Sequence, residues 1–424
     1  MKPIGPINRW KSPALPSVIG CLVATTCLLR AENLENASVP KVMDGGGTAA
    51  TPSTYVVKDG YFYGSSSDMY VGNVTSFNQL TIQTSGTIAS SANAYVGGSA
   101  SSAWNTLTIT GQGSKWLVGS SSKKRSLYVG NHGSNNTLAI LDGGELTTWG
   151  GGVGGFGEAN SNSAVVSGAG SKWTNNVDMT VGNLAGANGN SLSILNGGRV
   201  TSVNGIVGNS SASNSVTVSG AGSQWINSGN LYIGKSATGQ TNNLTVSGGG
   251  YVSNVTGQIG GAGGATGNSV LVTGAGSTWR NTGSLVIGVV SALGSTLTVT
   301  DGGLVQLDGD VNSLGIQSGS VMQLDGGYFA WKGNYDFGSR IALSQFEIYN
   351  GNAWATAAAD ELRWEYFIPG ADTSGFTGGL YGDLGGYTVL STVAVPEPSA
   401  QALIGLGLLA SVLWRIRKRR GHCG

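Results

Sequence analysis

The 424-residue sequence predicts an all-β chain wound as a parallel β-helix, and three observations predict it. Glycine occupies 73 positions while charged residues make up only 10% of the chain, no proline occurs between Pro52 and Pro369, and one strand pattern returns about every 27 residues. An average globular protein is roughly 25% charged, so this composition belongs either to low-complexity disorder or to a repetitive β architecture. The 40% hydrophobic content favours the second, because disordered chains are poor in apolar residues. A long proline-free stretch suits strands bonded on both sides, where a missing N–H would break a ladder.

From the N-terminus, Lys2, Arg9 and Lys11 precede an apolar run over residues 18–29, and Ala31 precedes a plausible cleavage point. Residues 1–31 therefore read as a secretory signal peptide. Two other readings of this segment are an uncleaved anchor and a lipoprotein box ending at Cys21. Residues 32–54 read as a linker.

Residues 55–327 carry the repeat. Strands of the type apolar-x-apolar start at Leu80, Leu107, Leu138, Ala164, Leu192, Val216, Leu244, Val270, Leu297 and Val321, with a fainter unit near Tyr55, giving eleven units. A Gly-rich turn and a second short strand follow each start. A third strand then ends in an aliphatic–Gly pair, from Val71-Gly72 and Val96-Gly97 through Ile287-Gly288 to Leu314-Gly315. Strands this short bury nothing alone. Stacked on like neighbours about 4.8 Å apart, they share one apolar interior, so the fold expected is about eleven three-strand coils.

Two further columns fix the coil length. Asn78, Asn105, Asn136, Asn162, Asn190, Asn214, Asn242 and Asn268 each stand two residues before a strand start. Asparagine tolerates left-handed turns, and its amide can bond the same amide one coil away, so a corner-forming ladder is expected. Trp116, Trp173, Trp225 and Trp279 each stand nine residues after a start, behind a Gly-x-Gly-Ser corner. In the coils between them Ile88, Leu146, Val200, Val252 and Val305 stand at eight. The repeat is thus a two-coil unit of about 54 residues. The tryptophans have two readings: filler of the core or corner, or a surface row of indoles about 10 Å apart stacking on sugar rings. The direction they face decides between them.

Residues 328–394 hold Trp331, Trp354 and Trp364 and read as a small β-rich cap, since an open solenoid end is an exposed sheet edge. A carbohydrate-binding role for this cap is the alternative. Last, residues 395–424 place Pro396, Glu397 and Pro398 ahead of a 15-residue apolar segment, residues 400–414, and a basic stop of Arg415, Arg417, Lys418, Arg419 and Arg420. Fifteen residues is short for a membrane helix, which needs about 20, and the basic cluster would hold its end on the cytoplasmic side.

This order of motif, short helix and arginine cluster resembles the PEP-CTERM sorting signal of exported bacterial proteins. The resemblance implies an exosortase-type membrane protease as partner, in a Gram-negative bacterium that makes exopolysaccharide. The combination of "DGG" coils, "GAGSxW" coils and aliphatic–Gly strands over residues 55–323 resembles the repeat shared by autotransporter passenger domains and PEP-CTERM proteins. That family implies a surface or matrix protein and carries over no catalytic residue. The chain lacks the long C-terminal run of amphipathic strands that forms an autotransporter's barrel.

Charge and chemistry narrow the function. Apart from the two ends, 13 basic and 20 acidic residues remain, and no basic patch suggests nucleic acid. Cys21, Cys27 and Cys423 all lie near the ends, so the body offers no disulfide or thiolate metal site. Between residues 55 and 300 the carboxylates are Asp59, Asp68, Asp142, Glu145, Glu158 and Asp178, and the one body histidine is His132. Asp308 and Asp310 form a close carboxylate pair, readable as a solvated turn or as part of a calcium or active site. No cofactor or metal is expected. The favoured function is an exported, non-enzymatic structural or adhesive rod, with exopolysaccharide or neighbouring rods as partners. The alternative is a carbohydrate-active β-helix enzyme, a polysaccharide lyase or hydrolase, whose chemistry needs clustered carboxylates.

Overall fold

The computed structural model describes residues 33–392 apart from 121, 336–341, 351, 378, 380 and 382. Three long sheets run along one axis with 14, 13 and 11 strands. The first sheet gathers the apolar-x-apolar strands such as Ser163–Ser167, the second the tryptophan strands such as Lys172–Asn175, and the third the aliphatic–Gly strands such as Met179–Val181. Each strand pairs in parallel with its counterpart one coil away: Leu192 opposes both Ala164 and Val216, and Val207 opposes both Val181 and Ile233. This is a parallel β-solenoid of about twelve turns, about 55 Å long at the inter-strand spacing.

The period-2 pattern of the first strands produces the core directly. In Ser215–Ser219 the side chains of Val216 and Val218 are fully buried while Thr217 faces out. Repeated coil after coil, such pairs form one continuous apolar column from Val39 to Leu390.

Four boundaries differ from the sequence reading. The stretch read as a linker over residues 32–54 contains Asn33–Glu35, which pairs with Ser53–Val57, and Val42–Met43, which pairs with Met69–Val71. It is therefore a first coil, hidden because its strands are only two and three residues long. The Leu314-Gly315 pair sits out of column: Ile287 opposes Ile316, and Leu314 opposes Leu285. A 3-10 turn at Val311–Ser313 shifts the phase there. The start assigned to Val321 belongs to Met322, which opposes Leu297. Finally, Tyr328–Lys332 and Phe346–Tyr349 fell in the segment read as cap, yet both extend the solenoid sheets in parallel.

Beyond them the direction changes. Trp354–Thr356 pairs antiparallel with Phe346–Tyr349, and Tyr387–Thr392 lies antiparallel between Tyr328–Lys332 and Leu362–Tyr366. Reversed strands cannot be continued by another coil, so they terminate both sheets. The apolar segment 400–414 and the signal segment 1–31 lie outside the described residues. Among the described residues, no helix is long and apolar enough to cross a membrane.

Candidate functional site

The asparagine column forms a buried amide ladder. The Asn162 Oδ1 accepts from the backbone N–H of Asn136 at 2.8 Å and from its Nδ2 at 3.1 Å, and the same double bond repeats from Asn78 to Asn268. All eight amides are shielded from solvent. The ladder explains the neighbouring aliphatic–Gly column: a side chain on Gly97, whose φ is +80°, would overlap the Asn136 amide. The two sequence columns are therefore one packing device.

The four tryptophans face inward. Trp116, Trp173, Trp225 and Trp279 are each 0% exposed, which removes the reading of them as a sugar-stacking row. They lean toward the preceding coil, where the Nε1 of Trp116 donates to Ser90 Oγ at 3.3 Å and that of Trp279 to Asn254 Oδ1 at 2.7 Å. Their rings fill the space left where the third strand of that coil begins with a small residue: Cζ2 of Trp225 and of Trp279 lie over Gly205 and Gly257. The corner serine also has a role that the sequence reading missed. In the 168–171 corner, Gly168 and Gly170 take φ of +96° and +83°, and Ser171 Oγ accepts the N–H of Gly143 at 3.0 Å. That serine satisfies a donor in the corner of the preceding coil.

The candidate carboxylates do not converge. Glu145 pairs with Lys172 at 2.9 Å, Asp178 accepts from Asn204 at 2.8 Å, and Asp68 caps the N–H of Asn93 at 3.0 Å. His132 stacks on Phe156 with centroids 4.6 Å apart. Asp310 caps the Val311–Ser313 turn, and its bonds to Asn312 hold its carboxyl below the ordinary value. Asp308 points elsewhere and is gripped by Arg280, so the two do not act as a pair. Among the described residues, no group of three His, Cys, Asp or Glu could hold a metal ion.

The groups that hold Asp308, namely Arg280, Gln306 and Tyr387, line a cleft of about 530 Å³ between the outer face of the second sheet and Tyr381, Asp383 and Tyr387 of the cap. Arg280 donates to Asp308 from Nε at 2.9 Å and from Nη2 at 2.6 Å, Gln306 at 3.1 Å and the Tyr387 hydroxyl at 3.0 Å. The bond to Asp308 raises the Arg280 guanidinium above its ordinary value. On the cap side the Tyr381 hydroxyl shares its one proton between the carbonyls of Ser277 at 2.9 Å and Gly302 at 3.0 Å. Burial pushes that hydroxyl up to about 12. The cap tryptophans differ from one another: Trp331 is buried in the core, while Trp364 is 37% exposed.

At the far end of the chain, Pro396, Glu397 and Pro398 and the basic residues Arg415, Arg417, Lys418, Arg419 and Arg420 lie outside the described residues. Their order is decided by comparison with known families, in which the PEP-CTERM protein-sorting motif matches residues 394–419. The chain carries a PEP-CTERM sorting signal. The match spans the three-residue motif, the apolar segment and the basic cluster as far as Arg419. A PEP-CTERM signal implies an exported protein, held briefly at the membrane and processed by an exosortase. No curated protein and no solved structure matches the chain.

Proposed function

We propose that this PEP-CTERM chain is a non-enzymatic structural or adhesive rod of the cell surface or extracellular matrix of a Gram-negative bacterium, freed from its membrane-held tail by an exosortase-type protease. The observation that carries the reading is the unbroken, in-register stack of coils placed ahead of the sorting signal. A rod of this kind resists bending because every coil is bonded along its length to the next. Its outer faces present threonine and serine, as in the consecutive outward Ser193, Thr217 and Thr245, and such a surface can bond exopolysaccharide or a neighbouring rod. A secretory signal at residues 1–31 would direct the chain out of the cytoplasm, and a cysteine-free body folds without oxidation.

Fractionation of cells producing the intact chain or a variant with Pro396→Ala, Glu397→Ala and Pro398→Ala tests this. The intact chain should appear shortened outside the inner membrane, and the variant should stay full-length in it. Identical size and location for the two would overturn the sorting reading. Incubating the protein with acidic and neutral polysaccharides separates the rod from the alternative enzyme: co-sedimentation without products supports the rod, and release of oligosaccharides supports a lyase or hydrolase.

A further inference from the structure

We propose that the cleft between the second sheet and the cap binds an uncharged oligosaccharide. Its floor is built on three successive coils: Tyr251, Thr278 and Leu304 lie in one row, and Arg280 and Gln306 in the next. Strands bonded on both sides hold these side chains rigidly. The opposite wall is fixed as well, since Tyr381 is tied to two backbone carbonyls of the rod and Tyr387 to Asp308 and Gln306. A cleft assembled before its ligand arrives loses little ordering entropy on binding. Its 530 Å³ lies within the range of about 300–1,000 Å³ typical of small-ligand sites, enough for about two sugar rings.

The chemistry of the lining selects the ligand class. Aromatic surface from the half-buried Tyr251, Tyr381 and Tyr387 lies beside the amide of Gln306 and the guanidinium of Arg280, whose side chain remains 42% exposed, while Leu304 and Leu384 are buried beneath them. Such a mixture suits a ring with apolar faces and a rim of hydroxyls. Charge then discriminates. The Arg280 cation is already answered by Asp308, and Asp383 adds a carboxylate at the mouth. With no surplus positive charge, the cleft repels a uronate chain and admits a neutral one.

The inference stands on the cleft and not on where the rod is delivered, so its test uses purified full-length chain in detergent. Titrating it with cellohexaose, laminarihexaose, maltohexaose, mannohexaose and hexagalacturonate by calorimetry should show binding of at least one neutral hexaose and none of the hexauronate. Tyr251→Ala should weaken that binding about tenfold, the loss of one stacking contact, with an unchanged melting transition. Hydrogen exchange on the unmodified chain gives a second readout: the bound hexaose should slow exchange in residues 278–280 and 381–387. Binding of the hexauronate alone, no binding of any neutral hexaose at millimolar concentration, or protection confined to other coils would overturn the proposal.

Discussion

A Cβ on Gly205 would lie 2.6 Å from Cζ2 of Trp225, which stands one coil further along. This contact explains why coils alternate. Where a third strand places Leu127, Met179, Leu231 or Leu285 at its first inward position, the second strand of the same coil carries the tryptophan. Where it begins with Ala94, Gly205 or Gly257, the bulky residue before it is only Ile88, Val200 or Val252. Large and small residues thus interleave along the axis, and a two-coil repeat keeps the cross-section filled without overlap.

Gly205→Ala should therefore destabilise the rod by about 1–3 kcal/mol, the usual penalty for overpacking a filled site. Its backbone is regular strand, so the loss would be steric and not conformational. A urea titration followed by circular dichroism measures it. A midpoint equal to or above that of the parent would contradict the interleaving.

Asn162→Ala removes the acceptor that two buried donors of Asn136 share. An orphaned buried donor costs about 1–3 kcal/mol, so a loss of about 2–5 kcal/mol is expected in the same titration. Asn162→Ser should not restore the pair, since Ser295 in the corresponding corner of a later coil is buried with its Oγ unbonded. A midpoint for the alanine variant equal to that of the parent would show that the amide column bears no such load.

Trp173→Phe leaves part of the core unfilled and removes the bond from Nε1 to Thr148 at 3.4 Å. Its stability should fall by about 1–3 kcal/mol, while co-sedimentation with polysaccharide stays as in the parent. Loss of sedimentation without loss of stability would reinstate the sugar-stacking role.

Burial raises the Asp325 carboxyl above its ordinary value, and the nearby Asp301 raises it further. A raised carboxyl favours the protonated form in the fold, so this contribution is present below the unfolded value and is lost as pH climbs through the folded one. Between about pH 4 and pH 7, the parent should lose a little stability from this group. Asp325→Asn should remove the loss, with a gain below about 1 kcal/mol at neutral pH because the side chain is partly solvated. Melting temperatures across that range check the sign.

Periodicity made most of the fold legible. The strand starts, the asparagines and the aliphatic–Gly pairs recur at fixed intervals, so each coil supports the reading of the next. Errors arose where the period breaks: at Val311–Ser313, where a 3-10 turn moves Leu314 out of column, and at Asn33–Met43, where a first coil has almost no strand. The inward turn of Trp225 could have been inferred from Gly205, because a glycine in a strand position leaves room that something large must fill. The cleft had no such signal. Its contacts join Tyr381 to Ser277 and Tyr387 to Asp308 across 104 and 79 residues of sequence, and no local pattern records them.

The central claim is that neighbouring coils lie in register, and a disulfide trap measures it most directly. Ser193 and Thr217 face outward as paired residues of adjacent coils, whereas Ser215 pairs with Ser191. The double variant Ser193→Cys, Thr217→Cys should close an intrachain disulfide under mild oxidation, since paired strands fall within disulfide reach, and Ser193→Cys, Ser215→Cys should not, with the parent chain as the background for its three native cysteines. A disulfide in the second pair and none in the first would contradict the stacked coil.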